Sequence, residues 1–178
     1  AVRSALDNGV FVVAAAGNHG GAGQDYPDVT VPANVDGVIS VGAIHKNSTL
    51  WQYSSAGSTT NSSGELRHWP NQKPEVVAPG VAIHSTFVSE TSGATWSRSD
   101  GTSDATVFVT ASLALILERY SDNPKLKPTH QGDRSPIDLV KEALANSSIP
   151  GVFQNAGEHH LRYGYGSFWS AGSYTGIR

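Results

Sequence analysis

Three runs of apolar residues, each of strand length, divide the first half of the chain. Residues 10–16 (VFVVAAA) and 38–44 (VISVGAI) are continuous and rich in β-branched side chains, and a shorter run at 75–78 (EVVA) stops at Pro79-Gly80. Continuous apolar runs without polar alternation are typical of parallel strands that are buried on both faces. The pattern therefore predicts three parallel strands.

Helical patterns precede and follow these strands. Residues 1–8 (AVRSALDN) are predicted to form the end of an amphipathic helix that stops at Asn8-Gly9. Residues 107–120 carry nearly continuous apolar side chains at helical spacing, which predicts a helix that crosses the core. Residues 136–145 (PIDLVKEALA) predict a more ordinary amphipathic helix with proline at its start. Helices alternating with strands indicate an α/β domain.

The remaining segments are polar or rich in glycine. Residues 57–71 have the Ser, Thr, Asn, Gly and Pro content of a surface loop or insertion, and residues 87–100 are similarly irregular. The glycine and aromatic tail at 163–169 (YGYGSFW) is expected to pack against the domain. Residues 17–21 (GNHGG) follow the first strand directly. In open parallel sheets, sites form beyond the carboxyl ends of the strands, so this loop lies on the functional side.

Composition narrows the functional classes. The chain has 178 residues, enough for one domain but few for a complete hydrolase with its own cleft. A net charge of −3 does not suggest nucleic acid or an anionic membrane as a partner, and the absence of cysteine excludes disulfides, thiolate metal sites and a cysteine nucleophile. No apolar run approaches the roughly 18 residues of a membrane span. The chain also lacks methionine and opens on an uncapped helix, from which we expect a longer translated protein.

The tripeptide Gly101-Thr102-Ser103 directly precedes the apolar helix. A serine at this position lies beside free backbone N–H groups and the positive end of the helix dipole. Donors fixed in advance there can stabilise the oxyanion of acyl transfer, usually the largest single contribution in such catalysis. On its own the motif is weak, because most serines before helices are only N-caps.

The order of four motifs is more specific than any one of them. The chain carries AAAGN at 14–18, VGA at 41–43, KPEVVAPG at 73–80 and GTS at 101–103. In this order they resemble the subtilisin-like serine proteases, the subtilases. The resemblance covers nearly the whole chain and extends to the glycine-rich turn at 163–166. It implies the C-terminal portion of a subtilisin-like fold, a Rossmann-like three-layer α/β sandwich with a mostly parallel sheet.

The resemblance also implies roles for individual residues. Ser103 matches the nucleophile, and its backbone N–H would face the oxyanion together with the side-chain amide of Asn18. An amide NH2 on a tight glycine turn donates a hydrogen bond without carrying a charge. The expected substrate-binding residues, which line or support the pocket for the residue before the scissile bond, are Ala15, Ala16, Gly17 and Thr102. Residues 25–33 are expected to close that pocket.

Two departures from the family pattern qualify these roles. No segment matches the aspartate strand end or the His-Gly-Thr-His helix that complete the triad, and both lie N-terminal to this part in subtilases. Without a histidine base the serine hydroxyl is a poor nucleophile, so the chain alone is expected to be inactive. The second departure is Asp104, which directly follows the nucleophile. Either its carboxylate points away from the oxyanion, or it tunes or abolishes activity.

Other interpretations remain open. Ser103 is also a possible N-cap and Asn18 an ordinary turn residue. The pair His159-His160 after Glu158 suggests a metal site, although a solvated turn is favoured because no third ligand is evident. A dinucleotide-binding loop is disfavoured, since Tyr26 occupies the place of the third glycine after Gly21 and Gly23.

Three functions therefore follow from the residues and the resemblance. The first is a serine endopeptidase part that acts with an N-terminal part supplying aspartate and histidine. The alternatives are an inactive subtilase-like binding protein and an acyl-transferring peptide ligase. The expected partners are that N-terminal half, a peptide or protein substrate and a propeptide or inhibitor, with no nucleic acid or membrane. The resemblance implies no certain cofactor, allows a structural calcium ion, and favours secretion.

Overall fold

A computed structural model of the chain describes residues 1–21, 29–88, 93, 95–152 and 154–177. Within these residues the elements follow one another in an α/β order, with one 3-10 turn at Pro124–Leu126. The elements are α1 (Val2–Asp7), β1 (Val13–Ala15), β2 (Ile39–Ile44), β3 (Val76–Pro79), β4 (Ile83–Thr86), β5 (Trp96–Ser99), α2 (Thr102–Arg119), α3 (Ser135–Ser147) and α4 (Ser170–Gly176).

A parallel sheet forms the centre of the fold. Its strand order is β1-β2-β3, with Val13 opposite Ile39 and Val41 opposite Val76. All six residues of β2 are buried, as expected for a central strand of continuous apolar sequence. The three predicted strands are thus confirmed as parallel neighbours, and their carboxyl ends meet at one edge of the sheet.

The first strand is shorter and more exposed than its sequence predicts. Only Val13–Ala15 form β1, with Ala14 buried, whereas Val10 is 51% exposed. Burial on both faces was predicted for the whole run, and that prediction is wrong for this strand. The physical reason is its position: among the described strands β1 pairs with β2 alone, so it is an edge strand.

Helix α2 packs along the sheet through one stripe of its surface. The buried stripe contains Ala105, Val109, Leu113 and Ile116, which join the core residues of β2 and β3. The opposite face is apolar but exposed to solvent: Val107 is 65% and Leu115 68% exposed, and Phe108 is exposed as well. The prediction that this helix crosses the core is therefore only half right: one face is buried and the other is not.

One segment predicted to be irregular contains a strand that its composition hides. Strands β4 and β5 form an antiparallel hairpin, with Ile83 opposite Ser99 and Thr86 opposite Trp96. The sequence of β5 is WSRS, all exposed, so no apolar alternation marks it as a strand. The prediction of an irregular segment at 87–100 is wrong at 96–99, while residues 89–92 and 94 lie outside the described part of the chain.

The C-terminal portion agrees more closely with the sequence. Helix α3 includes the predicted 136–145 and has proline in its first turn, whereas α4 was not predicted. The tail at 163–166 is buried as expected and continues the sheet, because Tyr165 N–H donates to Glu75 O and Phe168 N–H to Val77 O, both at 2.7 Å.

The loop at 57–71 is largely exposed but is anchored by the buried Arg67, which pairs with Asp36 at 3.1 Å.

A buried ionic cluster lies at the amino ends of β2 and β3. Glu75 Oε1 is 2.8 Å from Lys73 Nζ and 2.6 Å from Lys141 Nζ, and its Oε2 accepts from Ser40 N–H at 2.7 Å. All three charged side chains are at most 1% exposed. Burial lowers the pKa of Lys73 to about 7, against the opposing attraction of Glu75.

This cluster predicts a pH-dependent stability. Because the pKa of Lys73 is about 7 in the folded state and 10.5 when unfolded, the unfolded chain binds more protons between these values. The free energy of unfolding should therefore rise from pH 7 to pH 9, by up to about 1 kcal/mol per pH unit from this group. Guanidinium unfolding of the protein and of Lys73→Met at both pH values measures it. Equal pH slopes in the two proteins would contradict the assignment.

Candidate active site

The candidate site lies where the carboxyl end of β1 meets the amino end of α2. Gly17 N–H donates to Thr102 Oγ1 at 3.2 Å, and Gly17 O accepts from Ser55 N–H at 2.9 Å. Gly17 has φ +111°, and a Cβ there would lie 2.8 Å from Ser55 Oγ. Only glycine fits this turn without strain. The loop after the first strand is therefore hydrogen-bonded to the start of α2. It lies beyond the carboxyl end of β1, where sites form in open parallel sheets.

The end of β3 approaches the same helix start. Gly80 O accepts from Gly101 N–H at 2.7 Å, and a Cβ on Gly80 would lie 2.5 Å from Gly101 O and 2.8 Å from Ala43 Cβ. The glycine that follows the APG motif thus permits close contact between β3, β2 and the turn before α2. Motifs widely separated in sequence meet at one place.

The side chain of Asn18 is oriented by Thr102. Its Oδ1 accepts from the backbone N–H of Thr102 at 3.0 Å and from the Thr102 hydroxyl at 2.8 Å. A backbone N–H only donates, so the amide atom facing it is the oxygen, and the NH2 group is directed elsewhere. Thr102 is 1% exposed, which holds its two donors rigidly. The sequence analysis expected Thr102 to support the substrate pocket. In the structure its two donors orient the Asn18 amide.

Two nitrogen donors lie near the turn that precedes α2, beside the exposed Ser103. Measured from the Cβ position of Gly101, Asn18 Nδ2 lies at 3.5 Å and Ser103 N at 3.6 Å. Ser103 is the second residue of α2, so its N–H belongs to the first turn, whose donors have no intrahelical acceptor. The helix dipole adds positive potential at the same point. Chemically, this arrangement can stabilise an oxyanion next to a serine hydroxyl.

The structure also places the carboxylate of Asp104. Its Oδ1 accepts from the Ser99 hydroxyl at 2.7 Å, and its Oδ2 lies 3.4 Å from the same Cβ position of Gly101. The carboxylate is thus held between Ser99 and the turn that precedes α2, and its effect on activity stays a prediction. A negative charge in the first helical turn is favourable for the helix itself.

The expected substrate pocket is partly described. Ala16 is fully buried and Ala15 partly buried, and Thr30 N–H donates to Ala16 O at 3.0 Å. Val29 and Ala33 pack in the same core cluster as Ala16. Of the loop at 25–33 that was expected to close the pocket, residues 25–28 lie outside the described part of the chain. The substrate-binding roles of Ala15, Ala16, Gly17 and Thr102 stay predictions.

Sequence reasoning missed the residues that support this site. Ser55 Oγ accepts from His19 N–H at 3.2 Å. Arg162 Nη2 donates to Gln52 O at 2.7 Å and so holds the segment that contains Ser55. Ser99 was likewise not singled out. The contacts of Ser55 and Arg162 join positions far apart in the chain and carry no local motif, so only the small polar pair Ser54-Ser55 offered a signal.

Three histidines of the described part of the chain form hydrogen bonds away from Ser103. His130 contacts Thr129, His159 contacts Pro74, and His160 contacts the backbone of Arg162 and Tyr163. The sequence favoured a solvated turn for His159, and the structure differs: its Nε2 lies 2.9 Å from Pro74 O and its ring packs edge-on against Tyr165. Burial lowers the pKa of His159.

Neither a metal centre nor a membrane span is found in the described part of the chain. It contains no group of three or more His, Cys, Asp or Glu side chains able to hold a metal ion. Its helices are too short or too polar to cross a bilayer.

Comparison with known proteins shows the family of this chain. The profile of the subtilase family matches residues 1–167. Subtilisin DY of Bacillus licheniformis is 39% identical over 120 residues, covering 67% of this chain and 37% of the relative. The major intracellular serine protease of Bacillus subtilis (strain 168) is 34% identical over 156 residues, covering 84% of this chain and 43% of the relative.

Solved structures show the same fold. The patellamide maturation protease PatA superposes with a TM-score of 0.67 at 27% identity, covering 99% of this chain and 54% of that one. The prenylagaramide maturation protease PagA superposes with a TM-score of 0.65 over 98% of this chain and 53% of that one. The chain thus spans about half the length of the structures that it matches. On its motifs, its fold and these similarities, it belongs to the subtilase family of serine proteases.

Proposed function

We propose that this chain is the C-terminal part of a serine endopeptidase domain, with Ser103 as the nucleophile and Asn18 as the side-chain oxyanion donor. One observation carries the proposal: Asn18 Nδ2 and Ser103 N both lie within 3.6 Å of the Cβ position of Gly101, beside an exposed serine at a helix start. N-capping does not explain the serine, because the N-cap of α2 is Gly101 and Ser103 is the second helical residue. An ordinary turn asparagine explains Asn18 but not its two bonds to Thr102.

The proposed reaction is acyl transfer through Ser103. Its Oγ attacks the peptide carbonyl carbon while the hydroxyl proton passes to a histidine, and the carbonyl oxygen becomes an oxyanion. The N–H groups of Asn18 and Ser103 donate to that oxygen. The C–N bond then breaks as the histidine protonates the leaving amine. Water hydrolyses the resulting ester and restores the serine hydroxyl.

The aspartate and histidine are proposed to come from an N-terminal part, in the same precursor or as a separate chain. Three observations support this. The relatives and solved structures are about twice as long as the matched region. Strand β1 has one pairing partner among the described strands, and helix α2 presents the apolar residues Val107 and Leu115 to solvent. We call this chain combined with such a part the complete catalytic unit.

The proposed substrate is a peptide or protein. PatA and PagA are named as peptide maturation proteases, and for this chain we carry over only hydrolysis of peptide bonds. Small residues at 15–17 leave room for a large apolar side chain before the scissile bond. A propeptide or inhibitor would occupy the same cleft.

Product analysis in water enriched in oxygen-18 tests the proposal against its two alternatives. With a set of defined peptides, the complete catalytic unit is expected to give shortened products that carry heavy oxygen in the new carboxylate. A ligase would instead give joined peptides without that label, because an amine replaces water. A folded unit that binds the peptides and changes none of them would be a binding protein. Either outcome would overturn the endopeptidase proposal.

A further inference from the structure

We infer that Arg162, on the C-terminal turn at 160–164, is a positioning residue for Asn18, the proposed oxyanion donor. The inference rests on the proposed role of Asn18 and adds a residue, distant in sequence, that fixes the loop carrying it. Arg162 acts through the segment at 51–55 and not on the substrate. The inference gives a function to the C-terminal turn, which the acyl-transfer chemistry does not use.

The guanidinium of Arg162 holds three backbone carbonyls of one segment. Its Nη2 donates to Gln52 O at 2.7 Å and lies 3.3 Å from both Trp51 O and Ser54 O. Hydrogen bonds from a charged donor are stronger than those from a neutral one, so these carbonyls are held firmly in one orientation. Arg162 Nε is buried without a partner in the described part of the chain. The side chain is thus placed for the carbonyls and not for its largest number of bonds.

The loop that carries Asn18 lies directly on this segment. Before Asn18, Gly17 O accepts from Ser55 N–H at 2.9 Å. After it, Gly20 N–H donates to Tyr53 O, also at 2.9 Å. Backbone hydrogen bonds to one segment therefore flank the asparagine on both sides, and the position of that segment sets the position of the Asn18 backbone.

The contact at Gly20 leaves no free space between the loop and the segment. A Cβ on Gly20 would lie 2.9 Å from Gln52 O and closer still to Ser54 O, and both carbonyls are bound by Arg162. Atoms packed this closely transmit a displacement, because protein interiors are hardly compressible. A misplacement of about 1 Å far from the chemistry can cost about 100-fold in rate. Movement of the segment should therefore impair the Asn18 amide.

The turn that carries Arg162 is itself fixed to the sheet. His160 and Gly164 exchange two backbone hydrogen bonds at 2.8 Å, and Arg162 N–H donates to His160 Nδ1 at 3.1 Å. Directly after the turn, Tyr165 N–H donates to Glu75 O at 2.7 Å. Arg162 thus connects a firmly held turn to the loop that carries the proposed oxyanion donor.

A double-substitution cycle with Asn18 tests the inference in the complete catalytic unit. We expect Arg162→Met to lower kcat by about tenfold with little change in KM, because a misplaced oxyanion donor weakens the transition state and not substrate binding. Added to Asn18→Ala, it should cost at most about a further twofold, because no donor remains to be positioned. Ser55→Ala removes the hydroxyl that accepts from His19 N–H. It should lower kcat by about threefold and also add little to Asn18→Ala.

The matched control is Arg3→Met, the same change at an exposed position of α1, which should leave kcat and KM unchanged. If Arg162→Met does not fold, the cycle of Ser55→Ala with Asn18→Ala decides alone. Unchanged kcat in the folded single variants, with Asn18→Ala still impaired, would overturn this inference alone. Losses that multiply fully in the double variants would also overturn it, because the residues would then act independently of Asn18. An unimpaired Asn18→Ala unit would overturn the proposed role of Asn18 and this inference together.

Discussion

Replacing Ser103 by alanine is expected to abolish peptide hydrolysis by the complete catalytic unit. The change removes the only atom proposed to form the acyl bond, while the oxyanion donors stay in place. We expect kcat to fall by about a millionfold, the loss known for the nucleophile of subtilisin itself and not a value derived from this structure. Steady-state assays with a fluorogenic peptide measure it, with product detection by mass spectrometry near the background rate.

The matched control for this change is Ser97→Ala. Ser97 lies on the exposed strand β5, and its hydroxyl donates to the neighbouring carbonyl of Arg98 at 3.4 Å. Its loss should leave kcat and the melting temperature unchanged. Ser103→Ala should also melt near the parent temperature, because Ser103 is exposed. An active Ser103→Ala unit would assign the nucleophile to another residue.

Replacing Asn18 by alanine is expected to lower kcat by about 10²–10³ and to change KM little. This range is the one known for the equivalent donor in subtilisin. The reason is that the amide acts on the oxyanion, which exists only in the transition state and the intermediate, so ground-state binding loses little. Initial-rate kinetics over a range of substrate concentrations separate kcat from KM. A raised KM with unchanged kcat would contradict the oxyanion role.

Substitutions of Thr102 and Asn18 separate positioning from donation. Asn18→Asp keeps the size and the oxygen that faces Thr102 but removes the NH2 donor, so it should be no better than Asn18→Ala. Thr102→Val removes the hydroxyl bond to Asn18 Oδ1 and the acceptor of Gly17 N–H. It should cost about tenfold in kcat, and Thr102→Ser should recover most of the loss, because the hydroxyl returns. A Thr102→Ser variant no better than Thr102→Val would contradict the positioning role.

The sheet and the helices were predictable because their signals are local. A continuous apolar run of strand length that is rich in β-branched residues, such as residues 38–44, favours a buried strand, and β2 forms there. Proline at the start of residues 136–145 marks the beginning of α3 in the same way. The family motifs also predicted that residues 14–18 and 101–103 lie together, and the bonds between Asn18 and Thr102 join them.

The rest depends on contacts between distant segments. The exposure of β1 depends on which strands are its neighbours. The apolar run at 10–16 does not distinguish an edge strand from a central strand. The hairpin strand β5 is polar and exposed, so its pairing with β4 leaves no apolar pattern. The direction of the Asp104 carboxylate was likewise undetermined, because it is set by a hydroxyl five residues earlier on that hairpin.

Covalent labelling tests the nucleophile most directly. A fluorophosphonate probe reacts with a serine only when its hydroxyl is activated and an oxyanion hole receives the phosphoryl oxygen. After treatment of the complete catalytic unit, digestion and mass spectrometry should find the adduct on Ser103, and labelling should disappear in Ser103→Ala and weaken strongly in Asn18→Ala. A folded, hydrolytically active unit that is labelled at another residue, or not labelled at all, would contradict the account.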